Sequence, residues 1–183
     1  GRRNAPAQRL RAQLQNTARA RLETAELDLH AADFEARLAA LKPDLVIHTG
    51  GPFQGQDYRV PRACIAAGCH YIDLADDRRF VCDISQLDAQ ARAAGVLLVS
   101  GASSVPGLSS CVIAHYADQF SRLDDIDFAI APGNQAERGE ATVRGILSYT
   151  GHPIRVWREG RWQQVYGWMS LRRLYFDATI GRR

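Results

Sequence analysis

The sequence predicts an α/β chain: an incomplete doubly wound parallel sheet, followed by part of a smaller α+β domain. Three observations predict it. Leu45-Val46-Ile47-His48 is a short apolar run that ends in Thr49-Gly50-Gly51-Pro52. A helical pattern follows with Val60, Cys64 and Ala67 on one face; Gly68 stops it, and Tyr71-Ile72-Asp73-Leu74 starts a new strand. That is a βαβ unit with a parallel crossover. The same grammar then repeats. Residues 83–95 form a helical pattern with Ile84, Leu87 and Ala91 inward, and residues 96–99 a fully apolar strand that turns at Ser100-Gly101-Ala102-Ser103. Finally, the pattern changes after Leu123, where alternation and a hairpin signal replace it.

The remaining elements follow in order. Asn4-Ala5-Pro6 reads as a helix start, with Leu10, Leu14 and Ala18 as its stripe to about Ala20. Residues 22–29 alternate in part and are expected to be a strand. A helix over 33–41 places Phe34, Leu38 and Leu41 on one face, and Lys42-Pro43 ends it. Pro106 is expected to start a helix that runs to about Phe120. Residues 126–131 read as a strand broken by Pro132-Gly133-Asn134, and residues 142–149 as a helix. Ile154-Arg155-Val156-Trp157, a turn at Arg158-Glu159-Gly160, and residues 162–168 read as a hairpin. The domain change falls near residues 121–125.

Composition excludes several classes. The net charge of +3 comes from arginines spread along the chain, with Lys42 the only lysine. Basic pairs occur at Arg2-Arg3 and Arg172-Arg173, but no basic run is interleaved with aromatics, so no nucleic-acid partner is expected. Cys64, Cys69, Cys82 and Cys111 form no Cys-x-x-Cys pair, so reduced thiols and no metal site are expected. No apolar run reaches the roughly 18–20 residues of a membrane span, and the first residues lack the apolar core of a signal peptide. A cytoplasmic location is the default expectation.

Several of these residues resemble a known family. Gly51-Pro52-Phe53, Ala63-Cys64 through Gly68, and His70-Tyr71-Ile72-Asp73 are similar in order and spacing to the nucleotide-binding domain of saccharopine dehydrogenase-like oxidoreductases. The resemblance continues through Ser104-Val105-Pro106-Gly107-Leu108 and into residues 142–168. It implies a Rossmann-type NAD(P)-binding domain over residues 1–122 and a substrate or dimerisation domain over 123–183, with a homodimer formed through the latter. It implies NADP or NAD as cofactor and hydride transfer to or from a C=N or C=O centre of a small molecule.

Such a domain opens with a strand, Gly-x-Gly-x-x-Gly and a helix that together grip the pyrophosphate. This sequence has no such motif. Gly1-Arg2-Arg3 before a helix resembles instead the residues that follow the family's second strand. The expectation is therefore a fragment that lacks the first βα unit and is inactive by itself. In the usual strand order the 22–29 strand then has no obvious partner. A non-catalytic remnant or interaction module on the same scaffold is the alternative.

The candidate site residues lie where strands end. Thr49, Gly50, Gly51, Pro52 and Phe53 are expected to pass beneath the nicotinamide ribose and pyrophosphate; a tight turn without ligand is the alternative. Arg2 and Arg3 are candidates to fork around an adenosine 2′-phosphate, or form a solvated terminus. Asp28 is placed to accept from the adenine amine, or caps the segment before His30. Asp73 and His70 are the acid/base candidates, with a structural role the alternative for His70. Ser103, Ser104 and Gly107 are candidates to hold a substrate carboxylate at a helix start. The acid/base residue and the substrate are left open at this level.

Overall fold

The computed structural model describes residues 1–131, 133, 135, 139–169, 173, 175–176 and 181–182. Pro132 and Asn134 of the expected break and Arg172 of the basic pair lie outside the described residues. The chain forms two compact units, residues 1–50 with 55–108, and residues 51–54 with 109–183.

The first unit is built on a three-stranded parallel sheet in the order β1-β2-β3. Strand β1 is Leu45–His48, β2 is His70–Asp73 and β3 is Leu98–Val99. β1 and β2 run in register from Leu45 beside His70 to His48 beside Asp73. Tyr71 and Ile72 pair with Leu98 and Val99. β3 is shorter than the apolar run predicts, although the Leu97 carbonyl already accepts the Tyr71 amide at 2.9 Å.

Helices α1 (Asn4–Leu14), α2 (Phe34–Ala40) and α3 (Arg59–Ala67) precede β2. Of the predicted face, α3 buries Val60 and Cys64 and partly buries Ala67; Pro61 and Ala63 are buried with them. It ends at Gly68, whose φ of 67° is left-handed. The Cys69 amide then bonds back to the Cys64 carbonyl at 3.0 Å, closing the helix end and turning the chain into β2. Phe34, Leu38, Val60, Ala63, Cys64, Cys69 and Tyr71 form one buried cluster, with Leu27, Leu29, Val46 and Leu98 packed on it. The core thus lies on one face of the sheet, under α2 and α3.

The expected helix over 83–95 is broken into three pieces. α4 (Arg78–Asp83), a tighter 3₁₀ turn (Ile84–Leu87) and α5 (Asp88–Ala93) replace it. α4 starts early because the Asp77 carboxylate caps it, accepting from the Arg79 and Phe80 amides at 2.8 and 3.2 Å. Tyr58 stacks on Phe80 with ring centroids 4.8 Å apart, and its hydroxyl donates to the Phe80 carbonyl at 2.7 Å.

Three further expectations are corrected. Residues 22–29 form no strand, because no neighbouring strand among the described residues offers backbone partners; Leu27 and Leu29 pack on the core all the same. α1 stops at Leu14, well short of Ala20, and has no buried residue to extend it. Pro106 does not start a helix: Val105 is extended (φ −135°, ψ 126°), residues 104–108 make a wide turn, and α6 begins at Ser109 (Ser109–Tyr116).

In the second unit, α7 (Glu140–Ser148) is followed by the predicted hairpin, β4 (Pro153–Arg158) and β5 (Arg161–Tyr166). Glu159 and Gly160, with φ of 53° and 69°, make its two-residue turn. Trp157 faces Trp162 across the strands with rings edge-on at 5.3 Å, and Arg155 lies 5.2 Å over the Trp162 ring. Residues 126–131 form no strand, and Ile126, Phe128 and Ile130 are exposed. β6 (Tyr175–Phe176) and β7 (Gly181–Arg182) pair antiparallel.

Candidate functional site

The carboxyl ends of parallel strands are where such sheets bind ligands. In the first unit these ends carry the turns at 49–50, 74–75 and 100–103, with the 28–30 segment beside them. Thr49 and Gly50 are exposed. A Cβ at Gly50 would come 3.2 Å from His48 Nε2 and 3.8 Å from Leu29 Cδ2. A Cβ there would be tight against the His48 ring, which would have to give by a few tenths of an ångström, so glycine suits this close approach. The Gly50 carbonyl accepts from Gln56 Nε2 at 2.8 Å.

The 28–30 segment is fastened to the same region. Asp28 Oδ1 accepts the His30 amide at 3.0 Å. Arg59, at the start of α3, donates to the Leu29 carbonyl at 3.2 Å. Its guanidinium is oriented by Asp57, with contacts of 2.7 to 3.0 Å. The Arg59 hydrogen bond in turn holds the Asp57 carboxyl below its ordinary pKa. Leu27 donates its amide to the Gly1 carbonyl at 2.9 Å, so the chain at Arg2 and Arg3 starts beside Asp28. Both arginines are exposed.

Asp73 is the buried centre of the other end. Its side chain is 0 % exposed. Oδ1 accepts from the Gly101 amide at 2.8 Å, the Ser100 hydroxyl at 2.9 Å and the Ala75 amide at 2.9 Å. Its main-chain carbonyl accepts the Ala102 amide at 2.9 Å. Ser103 and Gly107 close this turn: the Ser103 carbonyl accepts the Leu108 amide at 2.8 Å, and a Cβ at Gly107 would strike the Gly101 carbonyl oxygen at 2.7 Å. Ser104 is exposed.

The structure therefore brings Arg2, Arg3 and Asp28 to one neighbourhood, and Asp73, Ser103 and Gly107 to another. It does not bring His70 to either. His70 starts β2 at the amino end of the sheet, where its Nδ1 accepts the Leu97 amide at 3.0 Å. Gly51, Pro52 and Phe53 belong to the second unit. There Phe53 is buried, Gly51 lies near Ala141, and Gln54 donates to the Tyr149 hydroxyl at 3.3 Å.

Sequence reasoning missed two buried polar groups, His48 and Tyr71. His48 Nδ1 is 3.1 Å from the Tyr71 hydroxyl. Burial lowers the His48 pKa, and the Asp73 charge opposes that. Burial, and next the Asp73 carboxylate, raise the Tyr71 pKa, so the phenol keeps its proton. The signal was available: Tyr71 and Asp73 are two apart on one strand and share a face. Among the described residues no group of three metal-ligating side chains converges, and no helix is long and apolar enough to cross a membrane.

Residues 1–99 match the family described as the saccharopine dehydrogenase NADP binding domain. The chain belongs to that family. The matched segment includes all three parallel strands, the Asp28 neighbourhood and Asp73 itself, and ends just before the 100–103 turn; it identifies NAD(P) as the cofactor and the fold as Rossmann-like. No curated protein matches the chain. Features that would suit a nucleotide are an exposed glycine turn at a strand end, and two exposed arginines that follow Gly1, whose carbonyl takes the Leu27 amide next to Asp28.

Proposed function

We propose that this chain holds the adenosine side of NADP in an oxidoreductase that moves hydride to or from a C=N or C=O centre of a small substrate. The observation that carries the reading is the Leu27–Gly1 hydrogen bond, which lies inside the family match and starts Arg2 and Arg3 beside Asp28. Planar guanidinium groups suit a 2′-phosphate, and a carboxylate suits the adenine amine. The exposed Thr49-Gly50 backbone is the surface for the ribose and pyrophosphate. Ser103 and Ser104 are the substrate-side candidates. When bound, the nicotinamide supplies the hydride chemistry; the protein binds and orients. Asp73, shut in and already accepting three hydrogen bonds through Oδ1, is assigned to shaping the site and not to proton transfer.

The test is a pair of titrations, NADPH and NADH, on the protein and on Arg2→Ala/Arg3→Ala. The double substitution is expected to weaken NADPH selectively, because NADH has no 2′-phosphate to lose. Equal loss for both cofactors would make the arginines fold elements. No loss for either would remove them from the site.

A further inference from the structure

We propose that His48 and Tyr71 are positioning residues that, with Asp73, lock the Gly50 turn and the 100–102 turn into one frame. The inference rests on the proposed cofactor reading only for what the frame holds. His48 and Asp73 are register partners on adjacent strands, and Tyr71 lies two residues before Asp73 on the same face. All three side chains are buried. Polar groups in a core lower stability unless they find partners, so strand positions with no task are served better by apolar residues. These three instead form a row. At one end the Gly50 turn lies close to the His48 ring: a Cβ added at Gly50 would come 3.2 Å from Nε2. His48 Nδ1 meets the Tyr71 hydroxyl at 3.1 Å. At the other end Asp73 Oδ1 gathers the Ser100 hydroxyl and the Gly101 amide at 2.9 and 2.8 Å.

One further feature sets Asp73 apart from a simple turn anchor. Its second oxygen, Oδ2, is buried and has no hydrogen-bond partner among the described residues. A carboxylate kept for the 100–102 turn alone has no need of that atom, and an asparagine supplies the same acceptor without the buried charge. The charge is felt by both His48 and Tyr71, where it favours protonated forms. Asp73 thus faces two ways, holding one turn by hydrogen bonds and biasing the His48–Tyr71 pair that underlies the other. A site that must keep two turns at a fixed separation around one ligand benefits from such a shared support.

The experiment reads backbone order by ¹⁵N relaxation in the protein without cofactor. Asp73→Asn has its direct contacts at residues 75 and 100–101. If the row couples the turns, the order parameters at Thr49 and Gly50 fall as well, from about 0.85 toward about 0.6. Amides in the strands, such as Val46 and Tyr71, keep their order. Tyr71→Phe removes one hydroxyl and is expected to loosen both turns. His48→Ala is expected to loosen the 100–102 turn, and His48→Gln, which keeps a group able to meet the Tyr71 hydroxyl, to restore it. Effects confined to the turn that each variant touches directly would overturn the proposal. So would a uniform loss of order or unfolding in Tyr71→Phe, because the row would then be a stability element only. Loss of NADPH binding plays no part in these readouts, so failure of the cofactor reading leaves them interpretable.

Discussion

The Leu27 amide donates to the Gly1 carbonyl at 2.9 Å, and this one bond sets the start of the chain against the segment that carries Asp28. Among the described residues, 22–29 have no strand neighbour, so few other backbone bonds fix their place. The 28–30 turn depends on the Asp28–His30 hydrogen bond and on Arg59. Arg59→Ala, which leaves the Leu29 carbonyl without its donor, is expected to raise the protease sensitivity of residues 22–30 several-fold at unchanged melting temperature. Cleavage rates by limited proteolysis check it; an unchanged rate would mean that packing of Leu27 and Leu29 alone holds the segment.

Asp73→Ala strips two buried amides and a hydroxyl of their acceptor. The expected loss is about 3 kcal/mol, because a buried donor left unmet costs roughly 1–3 kcal/mol. Urea unfolding measures it. A loss below about 0.5 kcal/mol, the range of surface changes, would show that water replaces the carboxylate.

His48 makes a prediction about pH. Its folded-state pKa lies below its ordinary 6.5, because burial outweighs the pull of Asp73. The unfolded chain therefore binds a proton more readily than the folded one. The contribution of His48 is fully present above pH 6.5 and is lost as pH falls from there toward the folded value. Stability measured between about pH 7.5 and 5 is expected to decline, and His48→Gln is expected to remove that part of the slope. An identical slope in the variant would assign the pH dependence elsewhere.

The thiols separate into two classes. Cys64 and Cys69 are fully buried, and burial, then the neighbouring Cys69, pushes the Cys64 thiol up. Cys82 and Cys111 are exposed. Only thiolate reacts readily. A chromogenic disulfide reagent is expected to modify two thiols quickly and the other two only in denaturant. Four fast thiols would contradict the packing of α3 on β2.

Much of this fold is legible in the sequence because Gly punctuates it. Gly68 and Gly95, both left-handed at φ of 67° and 66°, mark the ends of helical segments just before the next strand. The hairpin is equally plain, with Glu159-Gly160 between two aromatic-bearing runs. Residues 22–29 and 126–131 misled for one reason: alternation signals a strand only when another strand lies alongside to take its hydrogen bonds. The Asp77 cap of α4 is visible in the sequence as an Asp before a helical run, a signal that starts the helix earlier than Asp83. Asp28 and Asp73 were found as acids at segment ends, yet sequence cannot tell an acid facing a cleft from one that gathers amides. That difference is set by the 100–102 turn, which is 27 residues away at Ser100. His48 and Tyr71 stayed hidden because their partnership joins two strands.

Gly68→Ala tests the helix end that feeds β2. Nothing lies within 4 Å of a Cβ there, so the only cost is the left-handed backbone, about 1–2 kcal/mol. Thermal unfolding reads it, and an unchanged melting temperature would mean that the helix end has a second conformation open to it.

Residues 1–3 and 28–30 are proposed to receive the adenosine 2′-phosphate side of NADP. An amide-resolved NMR titration with adenosine 2′,5′-bisphosphate and with adenosine 5′-phosphate addresses it without the nicotinamide. Shifts at Arg2, Arg3, Asp28 and Leu29 that are larger, and saturate at lower concentration, for the bisphosphate are the expected result. Shifts of equal size for the two nucleotides, or shifts that leave these residues untouched, would contradict it.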